Sequence, residues 1–170
     1  MLTKNLVKSF LIISVIILNI GCDQVSKKIV RHEINPYETI HLLSNHLILT
    51  RVENSGAFLS VGDSLPGSAK KIILSFLPFL AIAFGLGYVL SRPAVSKNML
   101  AGLCFVIGGG VGNLVDRIIY GSVTDFLHIG FGFFQTGIFN LADVSIMVGM
   151  FMILFEFIFK KDYTPEEIVS

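Results

Sequence analysis

Long uncharged runs constrain the fold of this chain more than any other feature of its sequence. Residues 72–91 contain no charged side chain, and residues 98–115 contain none either. Each run is close to the roughly 20 residues that a helix needs to cross about 30 Å of hydrocarbon. The 53% share of hydrophobic residues and the mean hydropathy of +0.76 are typical of a protein that resides in a membrane.

Two further apolar runs are shorter or interrupted. Residues 138–159 include Asp143 and Glu156, and the first run, residues 9–22, reaches spanning length only if its helix continues to about Lys27. We therefore predict a single membrane domain, residues 1–170, built as an all-α bundle of four transmembrane helices at about 9–27, 72–91, 98–116 and 138–159.

The two connections on one side of this bundle, about residues 28–71 and 117–137, are the predicted outer loops. The first is too long to be a bare connector. Within it, residues 47–61 carry β-branched and aromatic side chains around Asn54 and Gly56, which predicts short strands with a turn or bulge at Gly56. We expect a small extramembrane β-sheet formed mainly by this first loop.

The short first run has an alternative interpretation as a cleaved signal segment. Lys4 and Lys8 precede an apolar stretch that ends at Cys22, which is the pattern of a secretory or lipoprotein signal peptide. However, Asn19 stands where lipoprotein signals usually carry an aliphatic residue, and three further spans follow. These two observations favour a helix that stays in the protein.

Lysine and arginine residues predict the orientation of the chain in the membrane. They precede the first span, lie between the second and third, and follow the fourth: Lys4, Lys8, Arg92, Lys97, Lys160 and Lys161. These segments belong on the cytoplasmic side, which places both termini inside and both long loops outside. Lys70 and Lys71 oppose this orientation, but they end a long loop, where the rule is weak.

Polar residues from four segments are predicted to meet at the outer end of the bundle. They are Asp23 and Lys27 on the first span, Asn113, Asp116 and Arg117 on the third, Asp125 in the second outer loop, and Asn140 and Asp143 on the fourth. Pairs such as Asp23 and Lys27 share a helix face. Ion pairs at the interface, and close helix packing at the glycines between residues 108 and 112, would explain part of this pattern without any chemistry.

Ion pairs and helix packing do not explain the presence of Asp143. A carboxylate at the centre of a spanning helix costs about 2.5–3.5 kcal/mol on insertion scales, and no basic residue of its own helix lies near it. It must face the bundle, where a second carboxylate from the outer layer could meet it. Two close carboxylates share one proton, and such a pair can activate a water and protonate a leaving group.

Composition and spacing exclude some functions and leave others open. The net charge of +1 and the short basic clusters do not suggest a nucleic-acid interface. No second ligand is spaced with His128 for a metal ion. Besides an enzyme, a small transporter or channel subunit with intramembrane aspartates and a non-catalytic assembly subunit stay open.

Four motifs stand in order along the chain. They are Asp23-Gln-Val-Ser-Lys27, Asn54-Ser-Gly56-Ala57, a long segment from Gly108 through Asn113, Asp116 and Arg117 to Asp125-Phe126, and Phe139-Asn140-Leu-Ala142-Asp143-Val-Ser-Ile146. Together they resemble the lipoprotein signal peptidase family, also called signal peptidase II, bacterial aspartyl proteases of the inner membrane. The match covers nearly the whole chain, although the family often has its aromatic residue one position later than Phe58.

The resemblance implies removal of signal peptides from prolipoproteins by cleavage just before a diacylglyceryl-modified cysteine. It implies an active site near the outer face of the inner membrane, two catalytic aspartates without a metal or other cofactor, and inhibition by the cyclic peptide globomycin. A monomer surrounded by membrane lipid is expected, with no nucleic-acid partner.

Asp125 and Asp143 receive the two catalytic roles from the resemblance. Asp116 competes for the first role, but Arg117 beside it would hold it ionised, whereas a dyad needs a carboxyl that can keep a proton. The other matching positions are assigned to supporting the site or binding substrate: Asp23, Lys27, Asn54, Gly56, Asn113, Asp116, Arg117, Asn140 and Ala142.

Overall fold

The computed structural model of the protein describes residues 2–43, 46–57, 62, 64–91 and 95–159. Within these residues lie four helices that are long and apolar enough to cross a membrane and a four-stranded antiparallel sheet. The helices are α1 (Leu2–Glu33), α2 (Gly67–Ser91), α3 (Lys97–Tyr120) and α4 (Leu141–Phe159). The strands are β1 (Thr39–Leu42), β2 (Leu47–Asn54), β3 (Val123–Phe131) and β4 (Phe134–Gln135). The predicted fold class is confirmed.

Five residues on which sequence predictions rest lie outside the described part of the chain: Phe58, Val61, Arg92, Lys160 and Lys161. The strand expected beyond residue 54, and part of the charge pattern used for orientation, therefore stay predictions.

α1 extends beyond the first apolar run at both ends and is an integral part of the bundle. Ile12 and Ile16 are buried in one hydrophobic cluster with Cys104 of α3. Near the other end of α1, Val30 is buried with Phe126 of β3. The helix therefore connects the membrane core to the sheet, which supports the interpretation that it is not a removable signal segment.

The sheet draws two strands from each loop, in the order β1-β2-β3-β4. The two loops contribute similar lengths of strand, and the longest strand, β3, comes from the second loop. Of the turn or bulge predicted at Gly56, the structure has the turn, and a separate irregularity shifts the β2–β3 register between Leu49 and Val52. β2 ends at Asn54 because its side-chain Oδ1 accepts the backbone N–H of Gly56 at 3.0 Å, which turns the chain.

α2 is irregular where it passes the sheet end of the bundle, meaning the end that carries the β-sheet. It contains a π-helical turn at Ile72–Phe76, and Pro78 follows shortly after. Proline has no N–H to donate to the carbonyl four residues earlier, and π turns are frequent at functional sites. Ile73, Leu74 and Pro78 line the cavity described below, so this irregular turn faces that cavity.

Gly109 of α3 allows the backbone of α4 to approach closely, and its replacement is expected to destabilise the protein. A Cβ atom at Gly109 would overlap the carbonyl oxygen of Ala142, which is backbone and cannot rotate away. We expect Gly109→Ala to lower the free energy of unfolding by about 1–3 kcal/mol, the usual range for overpacking.

Gly87→Ala is the matched control, because nothing lies within 4 Å of a Cβ atom there. That change should be neutral or slightly stabilising in a helix. Thermal unfolding of both variants in the same detergent measures the difference, and equal stability of the two would contradict the close approach at Gly109.

Candidate active site

A cavity of about 540 Å³ at the sheet end contains both aspartates that the sequence assigned to catalysis. Asp125 reaches it from β3, and Asp143 reaches it from the first turn of α4. Asn54, Asn113 and Arg117 supply further polar groups to its wall. A concave site with a few convergent polar groups in an otherwise apolar wall is the usual form of a small-ligand or active site.

Asp143 lies at the start of its helix, whereas the sequence placed the helix start at about residue 138 and Asp143 inside the span. Asn140 precedes the helix, and its Oδ1 accepts the backbone N–H of Asp143 at 3.0 Å. In return, Asp143 Oδ2 accepts the backbone N–H of Asn140 at 3.2 Å. This reciprocal pair is a capping box. Because the N-terminus of a helix favours a negative charge, the expected cost of placing this carboxylate in a span is reduced.

Backbone pairing explains how α4 starts beside Asp125. Phe139 and Leu127 exchange two backbone hydrogen bonds of 2.8 Å, so the chain before α4 runs against β3. Asn140 follows directly, and its Nδ2 donates to Asp125 Oδ1 at 2.6 Å. The two aspartates therefore come from different segments but reach the same cavity.

Three asparagine amides donate N–H groups to these two carboxyl groups. Asn140 and Asn54 both donate to Asp125, and the bond from Asn54 to Oδ2 is 2.9 Å long. Asn113 serves Asp143, with a bond of 2.8 Å to Oδ1. Hydrogen bonds of this kind fix the direction of each carboxyl group in the cavity.

The orientation of each amide is set by a donor to its oxygen. Asn54 Oδ1 accepts the backbone N–H of Gly56, and Asn140 Oδ1 accepts the backbone N–H of Asp143 in the α4 capping box. Asn113 Oδ1 accepts from Lys27 Nζ at 2.9 Å. Rotating any of these amides would place two donors, or two acceptors, face to face, so their N–H groups stay directed at the aspartates.

The pKa of Asp125 is raised from 3.8 to about 6. Burial is the largest cause, and the negative charge of Asp143 raises it further. The hydrogen bonds from Asn54 and Asn140 and the charge of Lys27 act in the opposite direction. A carboxyl group with this pKa can keep a proton close to neutral pH, as one member of a shared-proton pair must.

Asp143→Asn is expected to lower the pKa of Asp125, because it removes a negative charge that opposes ionisation. The pKa should stay above 3.8, since burial, the largest cause of the shift, is unchanged. At a pH between the two pKa values, Asp125 would be protonated in the wild type and ionised in the variant. The carboxyl ¹³C resonance of Asp125 in labelled protein measures this titration.

Glu33→Gln is the control for that titration, because the Glu33 side chain is 66% exposed and lies outside the cavity. It should leave the pKa of Asp125 unchanged. An unchanged titration in Asp143→Asn would show that the two carboxyl groups do not interact.

A fully buried charged cluster lies beside the cavity and consists of Asp23, Lys27 and Asp116. Lys27 Nζ is 2.8 Å from Asp23 Oδ2 and 3.2 Å from Asp116 Oδ2. Arg31 Nη2 is 2.9 Å from Asp116 Oδ2, and Gln24 Nε2 donates to both carboxylates. Charges taken out of water need such partners, because an unpaired buried charge is strongly destabilising.

The expected pairing of Asp116 with its neighbour Arg117 is wrong. Asp116 makes its close ion pairs with Lys27 and Arg31 of α1. Arg117 instead donates from Nη2 to the carbonyl oxygen of Gly56 at 2.9 Å and lines the cavity. Adjacent residues of a helix point in different directions, which explains why these two charges serve different sites.

The two carboxylates of the buried cluster hold the backbone next to the aspartates of the cavity. Asp116 Oδ2 accepts the N–H of Thr124 at 3.2 Å, and Asp23 Oδ1 accepts the N–H of Ala142 at 2.9 Å. Thr124 and Ala142 are the residues that directly precede the two cavity aspartates in the chain. The cluster therefore positions both carboxyl groups through the backbone.

Every site residue named from the sequence lies in the cavity, in the buried cluster or in direct hydrogen-bond contact with one of them. Three residues of this network were not assigned to the site from the sequence: Gln24, Arg31 and Thr124. Arg31 Nε donates to Thr124 Oγ1 at 2.7 Å. The i, i+4 series from Asp23 through Lys27 to Arg31 was a signal that could have identified Arg31.

The family model described as signal peptidase (SPase) II, peptidase family A8, matches residues 15–159 of this chain. The lipoprotein signal peptidase of Clostridioides difficile (strain 630) is 34% identical over 152 residues, which cover 89% of this chain and 97% of that protein. The lipoprotein signal peptidase of Buchnera aphidicola subsp. Schizaphis graminum is 33% identical over 153 residues, with coverage of 89% and 92%.

Two solved structures, both described as bacterial membrane enzymes, share the fold. One has a TM-score of 0.81 at 21% identity and covers 94% of each chain. The other has a TM-score of 0.75 at 23% identity and covers 88% of this chain and 94% of its own. The family match decides for a peptidase over the transporter and assembly subunit that the sequence left open. This chain belongs to the signal peptidase II family and is an aspartic peptidase of the membrane, related to lipoprotein signal peptidases.

Proposed function

We propose that this peptidase removes signal peptides from prolipoproteins and cleaves just before a diacylglyceryl-modified cysteine. The observation that carries the proposal is the cavity at the sheet end, which joins two carboxyl groups to an apolar wall. Relatives named lipoprotein signal peptidase support the substrate class.

The proposed chemistry is a water-mediated hydrolysis with one proton shared by Asp125 and Asp143. The ionised aspartate takes a proton from water, and the water oxygen attacks the scissile carbonyl carbon. The protonated aspartate gives its proton to the carbonyl oxygen, which produces a tetrahedral diol. When the C–N bond breaks, the leaving nitrogen takes the proton that came from water, and a diol hydroxyl returns a proton to the other aspartate.

We assign Asp125 as the proton donor to the carbonyl and Asp143 as the base. The raised pKa of Asp125, about 6, supports its role as the carrier of the proton. The position of Asp143 in the first turn of α4 favours its negative charge. Arg117 lines the same cavity and would stabilise negative charge that develops on the carbonyl oxygen.

The apolar wall of the cavity is the proposed binding surface for the lipid-modified part of the substrate. It is formed by α2 and α4, with Ile73, Leu74 and Pro78 on one side and Ile146 and Met147 on the other. Acyl chains and a signal helix can approach such a wall from the bilayer without entering water. The irregular turn of α2 gives this wall a shape that a regular helix would not provide.

The proposed location is the bacterial inner membrane, with both termini in the cytoplasm and the cavity near the outer face. The positive residues Lys8 and Lys97 lie at the ends of α1 and α3 opposite the sheet, as the positive-inside rule requires. In sealed cells, tags at both termini should be protected from added protease, and digestion of either tag would contradict this orientation. We further propose a monomer that globomycin inhibits.

Purified protein should cleave a diacylglyceryl-modified prolipoprotein and release a mature chain that begins with the modified cysteine. The same polypeptide without the lipid should be cleaved more slowly by about 10²-fold or more, because the binding energy of the acyl chains is lost. Mass spectrometry of the products identifies the cleaved bond. EDTA should leave the rate unchanged.

Equal rates for the two substrates would contradict the proposed substrate class but not the peptidase chemistry. Loss of activity in EDTA, with recovery on addition of a divalent metal, would contradict the two-aspartate mechanism.

A further inference from the structure

Two connections between strands lie side by side at one end of the β-sheet. The chain joins β1 to β2 after Leu43 and joins β3 to β4 at Gly132. His46 holds them together, since its carbonyl oxygen accepts the N–H of Gly130 at 3.0 Å and its ring stacks on Phe131, with 4.6 Å between the ring centres. We call this end of the sheet the sheet tip and define it by five large apolar residues: Leu42, Leu43, Phe131, Phe133 and Phe134.

The apolar side chains of the sheet tip are exposed. The exposed fraction is 73% at Leu43 and 102% at Phe133, and the other three residues of the tip lie between 39% and 59%. Single exposed apolar residues are common on any protein, but several that adjoin mark a surface that contacts another molecule or a membrane. The sheet tip is such a surface.

Phe133 stands at a position where a turn that faces water usually has a small or polar residue. Phe131 pairs with Phe134, so Gly132 and Phe133 form a two-residue turn. Gly132 has a φ of +59°, and glycine is the residue that this position of such a turn favours. The next position would suit Asn, Asp or Ser in water, yet it has a fully exposed phenylalanine ring.

The sheet is charged near the cavity and uncharged toward its tip. Arg51, Glu53 and Asp125 lie in the part of β2 and β3 that is next to the cavity. Residues 39–50 and 126–142 contain no aspartate, glutamate, lysine or arginine. A surface in water is mostly covered by such residues and other polar ones, so this pattern favours an apolar environment for the tip.

β3 passes close to the point where α4 enters the membrane. α4 has 19 residues, and Lys160 and Lys161 follow it in the sequence, so its apolar part is only just long enough to cross the hydrocarbon and must begin near the boundary. Leu127 exchanges two backbone hydrogen bonds with Phe139, two residues before α4. Phe131 is four residues further along β3, at most about 14 Å away. The sheet tip is therefore within reach of the lipids that surround the bundle.

We propose that the sheet tip inserts into the adjacent lipid leaflet, with Leu43 and Phe133 at the boundary between headgroups and acyl chains. The tip continues a surface that already contacts lipid, because the chain enters β3 from one membrane span and leaves β4 for another. Leucine and phenylalanine side chains are typical of protein segments that lie in this boundary. A tip without charges needs no particular headgroup, so we expect it to insert into zwitterionic phosphatidylcholine.

Insertion of the tip would hold β3 at a fixed height relative to the membrane. Asp125 lies on the same strand as Phe131, six residues before it, so the anchor would also fix the height of this carboxyl group. The insertion itself requires only that the spans lie in a membrane. It does not depend on the proposed function.

Tryptophan fluorescence tests the insertion, because the chain has no tryptophan of its own. Phe133→Trp places a single reporter at a fully exposed position, where a larger ring needs no repacking. The full-length variant is reconstituted, one molecule per disc, in nanodiscs of phosphatidylcholine with either plain or brominated acyl chains. Bromine quenches tryptophan on contact, so we expect fluorescence to be lost in the brominated discs.

Two reference variants calibrate this loss. Phe84→Trp places the reporter on an exposed position of α2 within the membrane span, and it should be quenched by the brominated lipid. His32→Trp places it near the end of α1, where the His32 side chain is 82% exposed and next to the charged Glu33. It should instead be quenched by iodide in the water. We expect Phe133→Trp to respond to bromine like Phe84→Trp.

A response of Phe133→Trp to bromine no larger than that of His32→Trp would overturn the proposal. Iodide then identifies what the tip contacts instead: quenching by iodide would place it in water, and protection from iodide would place it against protein, such as a second copy of this chain. Leu43→Trp is an independent reporter on the other connection of the tip and should also be quenched by bromine. Quenching at Phe133→Trp without quenching at Leu43→Trp would overturn the common lipid surface.

Discussion

Asp125→Asn and Asp143→Asn are each expected to lower kcat by about 10³-fold or more while KM changes much less. General acid and general base catalysis each contribute about 10²–10⁴-fold, and neither role can be filled by an amide. The two aspartates act as one unit in the proposed mechanism. The double variant should therefore be about as inactive as either single variant, because such effects are not additive.

The two substitutions differ in their expected effect on stability. The amides of Asn54 and Asn140 both donate to Asp125, and their oxygens already hold other donors. Asp125→Asn would direct a new N–H group at one of them and leave it without an acceptor, at a cost of about 1–3 kcal/mol. Asp143→Asn can keep an oxygen toward Asn113 but would direct an N–H group at the backbone N–H of Asn140. Because Asp143 is only half-buried whereas Asp125 is buried, water can satisfy that donor and the cost should be smaller.

Two control variants in the same cleavage assay distinguish a catalytic residue from one that only stabilises the site. Glu33→Gln removes an exposed carboxyl group and should leave kcat unchanged. Asp116→Asn removes a buried partner of Lys27 and Arg31, so its main effect should be on thermal stability rather than on kcat. Retained turnover in Asp125→Asn or Asp143→Asn would remove that residue from the dyad. If Asp116→Asn lost kcat while its thermal stability stayed at the wild-type level, Asp116 would be assigned to the dyad instead.

The spans and the candidate aspartates could be predicted from the sequence because they rest on local properties. A continuous run of about twenty apolar residues is the length that a helix needs to cross the hydrocarbon with its backbone hydrogen bonds satisfied, and a carboxylate in such a run needs a partner. The start of α4 could not be located this way. It depends on the pairing of Phe139 with Leu127 of β3, which ends the extended segment next to Asn140. An apolar run does not show where pairing with another strand stops and a helix begins.

Long-range contacts explain the other differences between the sequence predictions and the structure. The pairing of β2 with β3 joins residues 69 to 82 positions apart, so the share of each loop in the sheet was not visible locally. The ion pair between Lys27 and Asp116 likewise joins two different helices. The pairing of Asp116 with Arg117 could have been rejected from the sequence, since adjacent residues of a helix do not face each other.

Lys27→Met should lower the free energy of unfolding by about 3–5 kcal/mol, the usual cost of removing one partner from a buried ion pair. Lys27 is fully buried between Asp23 and Asp116, and methionine would fill a similar space while leaving both carboxylates without this cation. Lys28→Met is the matched control, because the adjacent lysine is exposed and its loss should change stability by less than about 1 kcal/mol. Thermal unfolding in one detergent compares the two.

The same substitution distinguishes a cluster that only stabilises the fold from one that also orients the site. Lys27 Nζ donates to Asn113 Oδ1, and this bond directs the Asn113 amide at Asp143. If the cluster only stabilises the fold, adding Asp23→Asn to Lys27→Met should restore both stability and turnover. Asp23 is the carboxylate that loses its ion pair with Lys27, whereas Asp116 keeps its pair with Arg31. If it also orients the amide, stability should recover in part while kcat stays low, because Asn113 still lacks its donor. We expect the second result, and a full recovery of kcat would contradict the orienting role.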